Sequence, residues 1–77
     1  MLPGVFAANK KNGSLYYRAS LTHKNKHISL GSFKTEKEAY NAYLDGDKII
    51  HSTIAIEDYS EDSFTISFDK FISLVNY

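Results

Sequence analysis

The segment KHISLGSFKTEKEAYNAY, residues 26–43, changes its hydrophobic period partway along, and that change decides the fold. From Lys26 to Leu30 the residues alternate, placing Ile28 and Leu30 on one face and His27 and Ser29 on the other, the period of a half-buried strand. Gly31-Ser32-Phe33-Lys34 reads as the turn that ends it. Thr35-Glu36-Lys37-Glu38 then has the T-x-x-E form of a capping box: the Thr35 hydroxyl accepts from the Glu38 backbone N–H, and the Glu38 carboxylate reaches back to the N–H of Thr35. Glu36 and Glu38 also suit the positive end of a helix dipole. Beyond the cap, Ala39, Ala42, Tyr43, Gly46 and Ile50 recur at threes and fours, so they share one helical face. Small residues on that face, opposite Ala19, let the helix lie close to a sheet, which explains a Gly that otherwise costs about 1 kcal/mol inside a helix.

Upstream, two turn signals separate three stretches able to form strands. Asn12-Gly13 supplies the first, since both residues tolerate positive φ. His23-Lys24-Asn25 supplies the second, with Asn25 as the expected left-handed residue. Between them Leu15 to Thr22 alternates, with Tyr17, Ala19 and Leu21 facing inward and Tyr16, Arg18, Ser20 and Thr22 outward. On the first strand Val5 and Ala7 face inward and Phe6 and Ala8 outward. Downstream, Phe64, Ile66 and Phe68 alternate and favour a short strand, while Phe68, Phe71, Ile72 and Val75 fall on one helical face; periodicity leaves both open. Tyr40 and Leu44 lie off the helix's inner face and are expected to take cover from this segment. The expected architecture is α+β: a three-stranded antiparallel sheet packed on one α-helix over residues 1–50, with a C-terminal extension, 51–77, on the same core.

At 77 residues the chain is one domain, and 43% apolar residues with 6 Tyr and 5 Phe suffice for one core. The absence of cysteine removes disulfides and thiolate zinc sites and fits a reducing cytoplasmic setting. No apolar run reaches the length of a membrane span, and Met1-Leu2-Pro3-Gly4 does not open a secretion signal. A zero net charge hides a division. Residues 1–35 hold Lys10, Lys11, Arg18, Lys24, Lys26 and Lys34 without one carboxylate, whereas all nine carboxylates follow, against Lys37, Lys48 and Lys70. Such a run suits a basic face, although charged residues are also the ordinary covering of a domain.

Gly4-Val5, Tyr17-Arg18-Ala19, Leu30-Gly31-Ser32-Phe33-Lys34-Thr35 and Glu38-Ala39-Tyr40-Asn41-Ala42-Tyr43, in that order and spacing, resemble the Apetala-two/ethylene-response-factor DNA-binding domain. The resemblance covers about residues 4–50. It is closest to bacterial and phage members, often attached to HNH homing endonucleases, and the arm-type DNA-binding domains of integrases share the design. It implies that the outer face of the sheet enters the major groove of duplex DNA. Carried over by position, the reading face comprises Phe6, Ala8 and Lys10, then Arg18, Ser20 and Thr22, then His27 and Ser29, with Tyr16 a further candidate beside it and Lys10, Lys11, Lys24 and Lys26, in or beside the turns, on phosphates. Arg18 is the best candidate for guanine, because its fork can donate to O6 and N7 together. The chain departs from plant members at Phe6 and Ala8, where arginines are usual, and at Ser29, where a tryptophan is. Binding by the isolated module is therefore expected to be weak or dependent on context, and the compartment cytoplasmic, at the nucleoid.

Other readings of the same residues are plainer. Phe6 and Tyr16 can stack on bases or touch thymine methyls, but can equally pack across strands. His27 and Ser29 can be ordinary solvated strand residues. His23 and His27 lack the third ligand a zinc site needs, His51 reads as a surface residue after the helix, and Glu57, Asp58, Glu61 and Asp62 lack the spacing of a calcium loop. No nucleophile with its base and no phosphate-binding loop is found, so neither catalysis, a cofactor, a metal nor a small-molecule substrate is expected. The rival function is a protein-protein interaction module of the same fold, with the acidic C-terminal part meeting a basic partner or the chain's own lysines. Nothing marks an ending at Tyr77, as in a piece of a larger protein carrying a nuclease or integrase.

Overall fold

The computed structural model describes residues 2–52 and 54–76, so Thr53 and Tyr77 of the expected extension lie outside the described residues. Three strands, β1 (Val5–Asn9), β2 (Leu15–His23) and β3 (Lys26–Phe33), form an antiparallel sheet in the order β1-β2-β3. Helix α1 (Glu36–Ser52) crosses the sheet, a short 3-10 turn spans Ile56–Asp58, and helix α2 (Phe68–Val75) follows. The fold is α+β with a C-terminal helix.

The two hairpins follow from local chemistry. Between β1 and β2, the Asn12 side chain accepts from the Ser14 N–H at 2.9 Å, and Gly13 takes a φ of +88° that a side chain would resist. Between β2 and β3 the turn is Lys24-Asn25, flanked by the pair His23 and Lys26. Lys24 as well as Asn25 has positive φ, +51° and +65°. That is the demand of a two-residue turn twisted like its strands, and it makes Lys24 left-handed where only Asn25 was expected.

Gly31-Ser32-Phe33 does not turn the chain. β3 runs on to Phe33, pairing Ser32 with Arg18 and Phe33 with Tyr17. Continuation is possible because the register shifts: Ser29 pairs with Ser20 and Gly31 with Ala19, leaving Leu30 as the extra residue of a bulge. Gly31 has a φ of +121° there.

Helix α1 starts as its cap demands, with the Glu38 N–H donating to Thr35 Oγ1 at 3.1 Å. The Glu38 carboxylate accepts from the Thr35 hydroxyl at 3.3 Å instead of from its backbone N–H. The helix runs through His51, which therefore belongs to its last turn, with Nδ1 3.1 Å from Asp47 Oδ1. Ala39, Ala42 and Gly46 are buried against the sheet together with Ile49, while Tyr43 and Ile50 are half-buried at the margins. A Cβ at Gly46 would stand 2.7 Å from Leu21 Cδ2 and 3.0 Å from Leu30 Cδ1, so the helix and strands meet at glycine distance.

The C-terminal segment corrects two expectations. Phe64 to Phe68 forms no strand: Ile66 is buried and Phe64 half-buried in an extended loop, and Phe68 opens α2. Ser67 caps that helix, accepting from the Lys70 N–H at 3.4 Å. Its buried residues are Phe71 and Leu74, not Phe68, which is 44% exposed. Nor does the segment bury Leu44, also 44% exposed, whereas Tyr40 is half-buried against the core and stacks on Tyr43, ring centroids 6.1 Å apart. The loop is held at the flank of α1 that carries Asp45, whose Oδ2 accepts from the Thr65 N–H at 2.6 Å. Ile66, Phe71 and Leu74 join Val5, Ala19, Leu30, Ala39 and Ile49 in one core, so the extension is part of the same packed unit.

Partial burial pushes the Asp45 carboxyl above the ordinary carboxylate value, outweighing the N–H groups of Thr65 and Ile66 and the charge of Lys48, which act downward. A carboxyl raised in the folded state binds a proton there before the unfolded chain does. Its contribution to stability is thus lost as pH rises through the raised value and regained on acidification toward the ordinary one, near 3.8. Asp45→Asn keeps an oxygen for Thr65 and removes this titration. The variant is expected to match or exceed the parent in urea denaturation at neutral pH, and to lose that advantage in mildly acidic buffer. Gly46→Val should cost about 1–3 kcal/mol by overpacking Leu21 and Leu30, read as a lower urea midpoint with unchanged slope.

Candidate nucleic-acid interface

Alternation along the three strands assigns the outer side. Phe6 faces Arg18 across the β1–β2 ladder and Ala8 faces Tyr16; Ser20 faces Ser29 and Thr22 faces His27 across β2–β3. Residues directly opposite one another share a face. Phe6, Arg18, Thr22 and His27 are exposed, because α1 covers the opposite side and α2 packs on α1. The inner side carries Ala19 and Leu21 against α1 and, at the end of β2, His23, whose ring meets His51 edge-on at 5.4 Å. His23 and His27 thus point to opposite sides of the sheet. Among the described residues no three His, Cys, Asp or Glu side chains converge on a metal-sized space.

The outer residues are not equivalent. Ser20 is only 7% exposed and its N–H donates to the Gly4 carbonyl at 2.9 Å. It forms the floor of a hollow of about 130 Å³ whose walls include Phe6, Arg18, His27 and Ser29. Sequence alternation put Ser20 outward but could not show its depth, which depends on larger neighbours on both flanking strands. Tyr16 and Ser29 are half-buried.

The bulge at Leu30 re-phases the end of β3 and turns Ser32 to the outer face opposite Arg18. Ser32, Lys34, Lys10 and Tyr16 then border a second hollow at the β1–β2 turn. Lys34 belongs to the basic run, but the sequence gives neither it nor Ser32 a place on the reading face, because Gly31 reads as the end of a strand. A glycine inside a strand pattern is equally the mark of a bulge, and that was the available signal.

The cations fall at the two ends of β2. Lys10, Lys11 and Lys34 lie toward the β1–β2 turn and Lys24 and Lys26 toward the β2–β3 turn, with Arg18 between. At about 3.3 Å per residue, nine-residue β2 holds the turns about 26 Å apart. Lys24 borders a hollow with Ile49, Ile50 and Val75 and so leans to the helix side, away from Arg18. Among the described residues, Lys10, Lys11, Arg18, Lys24 and Lys34 form no ion pair with the acidic half of the chain.

No protein-family model, curated protein or solved structure matches the chain. No helix among the described residues is long and apolar enough to cross a membrane.

Gly31 is the position on which the outer placement of Ser32 depends. Gly31→Ala puts a side chain where φ is +121°, a conformation that costs a non-glycine residue about 1–3 kcal/mol. The expected result is a comparable loss in denaturant stability, with the largest backbone amide shifts confined to residues 29–34 and their partners on β2.

Proposed function

We propose that this chain is a duplex-DNA-binding module of the Apetala-two/ethylene-response-factor type, which sets the outer face of its sheet in the major groove and binds rather than catalyses. The observation that carries the proposal is an uncovered sheet face with Arg18 at its centre and lysines at both ends of β2. A groove about 12 Å wide admits a narrow ribbon of strands. Turns about 26 Å apart overhang it, so lysines there meet the flanking phosphates while Arg18 meets base edges. The quoted motifs support the same reading, and their match ends with α1. Beyond it the C-terminal segment supplies core, through Ile66, Phe71 and Leu74.

Within the proposal, roles differ by position. Arg18 reads; Thr22 and His27 contribute polar contacts beside it. Lys10, Lys11, Lys26 and Lys34 position the module, and Lys24, turned toward the helix side, adds least. Ser20 and Ser29 line the hollow instead of reaching a base edge.

A second reading follows from the exposed edge of β3. A groove of about 440 Å³ runs between Gly31, Ser32 and Phe33 and the C-terminal segment at Glu61, Thr65 and Lys70, room for a partner protein's extended segment. This groove shares Ser32 with the outer face but leaves Phe6, Arg18, Thr22 and His27 free, so the two readings are separable.

Titration of a fluorescent duplex at low and moderate salt tests the proposal. With four to five phosphate contacts, log affinity should fall against log salt with a slope of about −4. Lys10→Ala and Lys26→Ala should each reduce that slope by about 0.9 on every sequence. Arg18→Ala should weaken a preferred sequence by about 1–3 kcal/mol more than random DNA. No binding at low salt, with amide shifts appearing only along β3 when a protein partner is added, would favour the groove.

A further inference from the structure

The hollow at the centre of the outer face has no part in the fold's packing. It opens between two exposed side chains of different chemistry, Arg18 and Phe6, which are cross-strand partners, and its floor is Ser20. Ser29 and His27 close the side toward β3. The hollow exists because two serines stand opposite each other, Ser20 on β2 and Ser29 on β3, where larger residues would fill the face. Phe6 is 54% exposed, so a large ring stands beside this space with about half its surface left open by the described residues.

Resting on the DNA reading, we infer that this hollow is a pocket for the 5-methyl group of a thymine in the base step next to the guanine read by Arg18, and that it makes the module select DNA over RNA. The thymine methyl is the apolar group that projects into the major groove, and an aromatic ring is among the surfaces that contact it. Cross-strand partners stand about 4.5–5.5 Å apart, and successive bases rise about 3.4 Å along a strand. When the Arg18 fork meets one guanine, Phe6 and the hollow therefore face its neighbour. Charge complementarity favours the same occupant: Arg18 at the rim and Lys10 and Lys34 along the face carry no ion pair among the described residues and suit a polyanion. Uracil lacks the methyl group, and the deep, narrow major groove of an RNA helix does not admit a sheet.

Selection from a random duplex library, followed by anisotropy titration of the enriched sequence, tests this. The enriched sites are expected to hold a thymine beside a guanine. Replacing that thymine by uracil within DNA should weaken binding about fourfold, the equivalent of one methyl group at about 0.8 kcal/mol. Phe6→Ala and Ser29→Val, which remove the wall and fill the hollow respectively, should each erase the difference between thymine and uracil while Arg18 keeps its guanine preference. Equal binding of thymine and uracil DNA by the parent protein overturns the pocket and leaves the DNA reading standing on Arg18. Enriched sites without thymine, or RNA bound as tightly as DNA, also overturn it. Failure to retain any duplex at low salt removes the DNA reading and the pocket with it.

Discussion

The close approach of α1 to β2 is the constraint from which the rest of the molecule follows. Ala39, Ala42 and Gly46 present almost no side chain to Ala19, Leu21 and Leu30, so the helix axis can sit low over the sheet. A helix this close shields the inner face of a sheet only three strands wide. The same closeness leaves little volume between the two layers, and too little apolar surface is buried there to stabilise a small domain comfortably.

The C-terminal segment supplies the deficit. Phe71 is fully buried and Ile66 and Leu74 nearly so, and Tyr59 ties the loop to itself through a hydrogen bond from its hydroxyl to the Ile66 carbonyl at 3.1 Å. The rings of Tyr59, Phe64 and Phe71 pack together, with Phe68 against Tyr59 at the outer margin. All of this material is added beside α1, on the covered side of the sheet. The molecule gains core without spending its outer face.

Much of this architecture was legible because a single rule sufficed locally. Alternation placed Arg18 and His27 outward, the Thr35 to Glu38 spacing marked the start of α1, and the small residues on α1 foretold its depth. What was not legible depended on partners. The alternation of Phe64, Ile66 and Phe68 is real, but an extended loop laid on a core alternates as a strand does, and only the absence of a paired strand distinguishes them. Ser67, followed by Asp69 in the first turn, carried the helix signal that the alternation obscured. At the outer face, the depth of Ser20 is set by Phe6 and His27, far away in sequence, and the lean of Lys24 by a left-handed turn that outward-inward counting does not describe.

The extra residue in β3 has a consequence for how this protein can vary. Because Leu30 sits in the core while Ser32, two places on, faces out with a glycine between, the strand works as a phase shifter whose setting is a count of residues rather than their kind. An even ladder run through both Leu30 and Gly31, without the bulge, would exchange the inner and outer sets beyond it, presenting Phe33 to solvent and driving Ser32 under the helix. The bulge, more than the identity of any one side chain beyond it, therefore sets which residues at the end of this strand reach the exposed face.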